Sequence, residues 1–211
     1  MTAESTQSPV RGLYAVTPDI ADTAVLVAKV NAAIDGGARL IQYRNKTASN
    51  ALLLEQAKAL SLLCSSRGAL LIVNDHVDIA HTADADGVHV GGEDAGVGPA
   101  RAVLGAGKLI GVSCYASIDR ARAAANEGAD YVAFGSFFPS RVKPGAVRAS
   151  VELLKEAKRA LSLPIVAIGG ITCENAPALI TAGADAVAVI SAVFDTGNVC
   201  GAAAEFASVL K

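Results

Sequence analysis

One phrase recurs through the 211 residues and restricts the fold more than any other feature: GGARLIQYR at 36–44, EGADYVAFG at 127–135 and AGADAVAVI at 182–190, with a weaker copy, DADGVHVGG, at 84–92. In each copy a Gly-rich turn feeds a short apolar run. The upstream segments TAVLVAKVNAAIDG, SIDRARAAANEG and CENAPALITAG carry apolar residues at helical spacing. Each then reaches a glycine suited to the left-handed helix stop. The repeated unit is helix, glycine, strand. Completing the scan predicts eight strands, near 12–16, 40–44, 69–73, 87–90, 109–113, 131–135, 164–168 and 186–190. Helical patterns follow most of them, at about 23–36, 49–66, 99–105, 117–128, 150–161, 173–182 and 199–210, with a shorter one near 76–83. Ser, Thr or Asp precedes several of these as a candidate N-cap.

Eight alternating strand–helix units in a chain of this length predict a compact α/β protein of the closed (β/α)8 TIM-barrel class. An open doubly wound sheet is the competing architecture, but no GxGxxG follows the first strand, and near-even units favour closure. Hydrophobic residues make up 52% of the chain and aromatics only 4%, with 43 alanines and no Trp. Such a core suits thin helices lying close on a parallel sheet whose strands, covered on both faces, read as continuous β-branched runs. No linker divides the chain. The expected organisation is a disordered tail at 1–11 and one barrel domain at 12–211.

Charge and cysteines narrow the function classes. With 18 Lys+Arg against 20 Asp+Glu, there is no basic excess to neutralise a nucleic-acid backbone. No apolar stretch reaches the roughly 18 residues of a membrane-spanning helix, and MTAESTQSPV lacks the cationic and apolar regions of a secretory signal. Cys64, Cys114, Cys173 and Cys200 are widely spaced and form no CxxC, which suits reduced thiols in a cytoplasm.

A TIM barrel places its chemistry at the C-terminal strand ends and its stabilising turns at the other. Here the strand entries are plain turns (GGA, RGA, GAGK, EGA, SLP, AGA). The exits carry Gln42-Tyr43-Arg44-Asn45-Lys46, Asn74-Asp75, Gly91-Gly92-Glu93-Asp94, Ser113, Ser136 onward to Lys143, Gly169-Gly170 and Ser191. Gly169-Gly170 after the seventh strand and Ile190-Ser191 after the eighth fall at the corner where such barrels bind phosphate through backbone N–H groups. A plain tight turn is the alternative for the glycine pair. Arg44, Lys46 and Lys143 put three cations on this rim, suited to anion recognition. Asp75 and Asp94, beside them, fit a hard divalent ion shared with a diphosphate, the usual mode of Mg²⁺. Spacing alone leaves two helix N-caps equally open. His76, His81 and His89 have no zinc-like spacing, and neither GxSxG nor a Ser-His-Asp set supports a nucleophilic hydrolase. His89, mid-strand, and His76, directly after Asp75, are each placed to reach the cavity, whereas His81 belongs to a helix; a lone barrel histidine is commonly structural, and Cys114 and Cys173 read as small apolar filler.

The blocks Gln42 to Lys46, Ile72 to Asp75, Asp86 to Gly91, Glu93-Asp94, Gly111 to Ser113, Ala129 to Tyr131, Lys143-Pro144, Ala167 to Ile171 and Val189 to Ser191 together resemble the thiamine phosphate synthase family, from about residue 12 to 195 and in order. That resemblance implies a (β/α)8 transferase joining hydroxymethylpyrimidine diphosphate to thiazole phosphate, with diphosphate released. It further implies small-molecule substrates, Mg²⁺ as cofactor and a dissociative route in which diphosphate leaves before the thiazole nitrogen bonds. Carried over, Gln42, Tyr43, Arg44, Asn45, Lys46, Asn74, Ser113 and Lys143 hold the pyrimidine diphosphate, Asp75 and Asp94 hold Mg²⁺, and Ser140, Gly170, Ile190 and Ser191 serve the thiazole phosphate. Arg44, Lys46, Ser113 and Lys143 are the expected catalytic groups.

The chain departs from that pattern in places. The family's Thr-x-Thr-Lys is Ser140-Arg141-Val142-Lys143, which removes a hydroxyl at Val142, and Gly92 stands where Gln is common. Two other functions compete. A thiazole tautomerase on the same scaffold has no use for diphosphate, and retention of Asp75, Asp94, Arg44, Lys46 and Lys143 argues against it. A non-catalytic phosphate-ligand binder draws support only from the altered loop.

Overall fold

The computed structural model describes residues 8–91, 96–139 and 148–210. Eight parallel strands close on one another in chain order. They are β1 (Gly12–Val16), β2 (Leu40–Tyr43), β3 (Leu70–Asn74), β4 (Gly87–Val90), β5 (Leu109–Tyr115), β6 (Tyr131–Gly135), β7 (Ile165–Ile168) and β8 (Ala186–Val189). The closing pair, β1 with β8, aligns Gly12 with Ala186 and Ala15 with Val189. Around them run α1 (Thr23–Asp35), α2 (Asn50–Arg67), α3 (Val77–Thr82), α4 (Val97–Leu104), α5 (Ile118–Asn126), α6 (Val151–Ala160), α7 (Ala176–Thr181), α8 (Ser191–Phe194) and α9 (Val199–Val209). The barrel is the fold class the repeats predict, in one domain. The one-turn α8 has no counterpart in the helical pattern of the sequence, because four residues are too few to show a period.

Local chemistry accounts for the elements. The side chains of Asp22, Ser49, Ser117, Ser150 and Asn198 accept hydrogen bonds from backbone N–H groups in the first turns of α1, α2, α5, α6 and α9. In α1 the buried residues are Leu26, Val30, Ala33 and Ile34, one stripe of a helix lying on the barrel. Gly128 and Gly183 have the positive φ of the predicted helix stop, but after α1 the predicted Gly36 stays right-handed at φ of −74° and the next residue, Gly37, takes the positive φ.

Two cores follow from strand alternation. Outward residues such as Leu13, Ile41, Leu71, Val88, Val132 and Val187 pack under the helices. Inward residues, among them Tyr14, Val16, Leu40, Ile72, Tyr131, Ala133 and Val166, fill the barrel. Val10 belongs to this inner cluster at 1% exposure, so ordered chain begins inside the expected tail at 1–11, of which residues 1–7 lie outside the described residues.

At the strand entries the repeat has a structural meaning. Asp86, Asp130 and Asp185 each bridge both backbone groups of a residue on the preceding strand. The Asp130 N–H donates to the Ile110 carbonyl at 2.8 Å and its carboxylate accepts from the Ile110 N–H at 2.7 Å. Leu71 with Asp86 and Ile165 with Asp185 repeat the pattern. Arg101 and Lys158 pair with Asp130 and Asp185 from the helix layer. This end of the barrel is therefore closed by hydrogen bonds, and the opposite end carries the cavity.

Candidate active site

A cavity of about 740 Å³ opens at the C-terminal strand ends. Its wall takes side chains or backbone from all eight strands or the loops that leave them, β1 contributing Tyr14 and Val16. At one side stand Gln42, Arg44, Lys46, Asn74, Asp75 and Ser113; opposite are Gly170, Ile190 and Ser191. The structure thus gathers these nine sequence-derived candidates around one space. Asp94, Ser140 and Lys143 lie outside the described residues, as do the departures at Gly92 and Val142.

The β2 exit is held from β1. Thr17 is fully buried; its hydroxyl donates to the Arg44 carbonyl at 3.0 Å and accepts from the Arg44 N–H at 2.9 Å. Asp19 accepts from the Arg44 guanidinium at 3.3 Å and from the Lys46 backbone N–H at 3.0 Å. The Arg44 guanidinium is thereby held before any anion arrives, a form of preorganisation, and the anchored Lys46 backbone brings a second cation to the same wall.

Alternation along β2 separates the candidates of this segment. Gln42 and Arg44 face the cavity; Tyr43 and Asn45 turn to the helix layer. The Tyr43 hydroxyl donates to Gln56 Oε1 at 2.7 Å, and Asn45 Nδ2 donates to the Ile20 carbonyl at 3.0 Å. Both instead line a neighbouring pocket of about 280 Å³, which shares Lys46, Asn74 and Asp75 with the main cavity. The structure does not bring Tyr43 and Asn45 to the main cavity, because successive side chains on a strand point to opposite faces.

Asp75 follows β3 with φ of 62°, a left-handed conformation that a short polar residue tolerates. Its N–H donates to the His89 carbonyl at 2.8 Å, and its carboxylate accepts from Asn74 Nδ2 at 2.6 Å. It does not cap α3, whose N-cap is His76 and which has no side-chain cap. The N-cap alternative is thus removed for Asp75. Its hard carboxylate oxygens suit Mg²⁺, which is held by one or two carboxylates together with substrate phosphate oxygens. Such an ion needs no larger protein cluster, and no group of three His, Cys, Asp or Glu able to hold a metal occurs among the described residues.

The opposite corner is built from backbone. Gly169 and Gly170 have φ of 107° and 64°, and a Cβ on Gly170 would lie 2.4 Å from the Pro139 carbonyl oxygen. Only glycine serves there. Asn175 pins the turn, its Nδ2 donating to the Gly170 carbonyl at 3.2 Å and its Oδ1 accepting from the Thr172 N–H at 2.9 Å. Ile190 and Ser191 form the N-terminal end of α8 on the same wall.

Of the two histidines the sequence places within reach of the cavity, His89 lines it and His76 lines the neighbouring pocket, but the sequence reading missed the tyrosines of the cavity floor. Tyr14 and Tyr131 meet edge to face with ring centroids 6.1 Å apart, and His89 stacks on Tyr131 at 5.6 Å. Hydrogen bonds join Gln42 Nε2 to the Tyr14 hydroxyl (2.9 Å), Tyr14 to Tyr131 (2.8 Å), Tyr131 to His89 Nδ1 (3.1 Å) and His89 Nε2 to Ser113 Oγ (2.9 Å). Burial pushes the His89 imidazole down to about 4 and raises both phenols, so all three are neutral around pH 7. The available signal was parity: Tyr14, His89 and Tyr131 are in phase with inward Gln42, Asn74 and Ser113. Tyr115 was also missed. It lines the cavity mouth at φ of 53°, beside a register shift between β5 and β6, with Arg120 over its ring at 5.4 Å.

Comparison with known proteins gives one answer. The family model described as thiamine monophosphate synthase matches residues 13–193. The chain is 57% identical over 185 residues to a protein of Azoarcus sp. (strain BH72) named thiamine-phosphate synthase, covering 88% of this chain and 90% of that one. It is 54% identical over 194 residues to a protein of the same name from Thiobacillus denitrificans, covering 92% of each. Among solved structures it is similar to thiamine phosphate pyrophosphorylase from Pyrococcus furiosus, at 35% identity with a TM-score of 0.83, covering 94% of this chain and 95% of that one.

Proposed function

Since the chain belongs to the thiamine monophosphate synthase family, we propose that its cavity joins hydroxymethylpyrimidine diphosphate to thiazole phosphate by a dissociative, Mg²⁺-dependent route. The chain is an enzyme, a transferase of thiamine biosynthesis acting on small molecules. The observation that supports the finer reading is one cavity with two unlike ends, each suited to an anion: cationic side chains at the β2 exit, and the Gly169-Gly170 backbone with Ile190 and Ser191 at the β7 and β8 exits.

Each residue then has a task. Arg44 and Lys46, with Lys143 of the undescribed segment, grip the diphosphate; Gln42, Asn74 and Ser113 orient the pyrimidine. Gly170, Ile190 and Ser191 receive the thiazole phosphate, and Ser140 is assigned to the same substrate. The methylene C–O bond breaks with its electron pair going to diphosphate, and the thiazole nitrogen lone pair then forms the C–N bond. No protein nucleophile is consumed. The cations stabilise charge that grows on the departing oxygens, where fixed charges in a sheltered site act most strongly. Asp75 and Asp94 would hold Mg²⁺, which supplies Lewis-acid neutralisation of the diphosphate when bound. We place this activity in the cytoplasm, where the four free cysteines remain reduced.

The test is diphosphate release by the purified protein. Release that requires both substrates and ceases on chelation is the expected result. Thiazole phosphate binding without release would instead favour an isomerase or a non-catalytic binder.

A further inference from the structure

The cavity floor holds five polar side chains from five strands, linked end to end: Gln42, Tyr14, Tyr131, His89 and Ser113. Four of them are buried, Tyr131 completely, and no buried side-chain nitrogen or oxygen among the described residues lacks a partner. Donor and acceptor accounting gives the chain a direction. Gln42 turns its Nε2 to Tyr14, so the Tyr14 oxygen accepts there. The single Tyr14 proton then has one acceptor in the chain, the Tyr131 oxygen. Tyr131 in turn donates to His89 Nδ1. A neutral imidazole accepting at Nδ1 carries its proton on Nε2, which donates to Ser113 Oγ. Ser113, having accepted, turns its own proton toward the cavity. The opposite direction would leave the proton of the buried Tyr14 hydroxyl without an acceptor in the chain, at a cost of about 1–3 kcal/mol.

A glycine supports this as a built feature. A Cβ at Gly111 would lie 2.0 Å from Tyr131 Cζ and 2.4 Å from its hydroxyl oxygen. Glycine weakens a strand interior, and here it clears the space the phenol occupies.

We propose that Tyr14, Tyr131 and His89 are positioning residues that fix the direction of this hydrogen-bond chain and present the Ser113 hydroxyl to the substrate as a donor. The proposal rests on the reading above, in which Ser113 touches the pyrimidine diphosphate; it adds that the atom opposite Ser113 is an acceptor, a ring nitrogen or an anionic oxygen. Tyr131 is the informative member because it is absent from the cavity wall and acts only through its neighbours.

Two measurements test it. ¹⁵N NMR of the substrate-free protein, with His89→Gln used to assign the signal, is expected to show the Nε2–H tautomer; an Nδ1–H tautomer overturns the proposal. This readout needs no turnover, so it stands apart from the proposed reaction. In kinetics, Tyr131→Phe is expected to lower kcat/KM for the pyrimidine diphosphate about 10-fold, with the KM for thiazole phosphate unchanged. In a Ser113→Ala background the same substitution should have no further effect. An equal loss in both backgrounds would assign Tyr131 a merely structural role and sink the proposal.

Discussion

At Asp75, backbone and side chain make separable demands. The left-handed φ of 62° wants a short polar residue, and asparagine meets it as well as aspartate does. Asp75→Asn therefore keeps the turn and the contact with Asn74 while removing one charge. If that carboxylate helps hold Mg²⁺, steady-state turnover at limiting Mg²⁺ should fall by about 100-fold or more. A near-normal rate would remove Asp75 from the metal site. The same scale shows where residue-by-residue transfer from a motif breaks down. Gln42 to Lys46 reads as one binding run, yet only Gln42, Arg44 and Lys46 border the main cavity. Tyr43 and Asn45 join Gln56 in tying the β2 exit to α2 and the β1 exit. The motif was legible in the sequence; its division into two faces is a property of the pleat.

At the scale of elements, the helix, glycine and strand repeat predicted all eight strands and most helices, because period and glycine stops are local signals. The repeat's aspartates read as turn residues. In the barrel they bridge adjacent strands, each satisfying both backbone groups of one partner. Asp130→Ala should leave the Ile110 N–H unpaired and release Arg101 from its ion pair. We expect a stability loss of about 2 kcal/mol by urea denaturation, with KM values unchanged. Asp130→Asn, which keeps an acceptor for Ile110, should recover most of it. Altered KM values for Asp130→Ala would mean that this end of the barrel is coupled to the cavity.

For the whole molecule, burial of neutral acids sets an alkaline limit. Burial pushes the Cys64 and Cys114 thiols up from 9.0 to about 12 and raises the Tyr14, Tyr43 and Tyr131 phenols above 10.0. Below about pH 8 these groups are protonated in both states and their contribution to stability is complete. As pH rises, the unfolded chain ionises first and binds fewer protons, so stability falls from about pH 8 toward 12, most steeply above 9. The urea midpoint should therefore decline between pH 8.5 and 10.5; a flat profile would mean these groups are less shielded than the barrel implies. Period, glycine placement and the polarity of strand exits were readable from the chain alone, since each is a relation between near neighbours in sequence; with the resemblance of its motif blocks, they yielded the barrel, its working end and most of the anion-binding candidates. Closure decided the rest. The floor from Gln42 to Ser113 joins residues as far as 117 positions apart, Tyr14 with Tyr131, and exists only because eight inward faces converge on one axis.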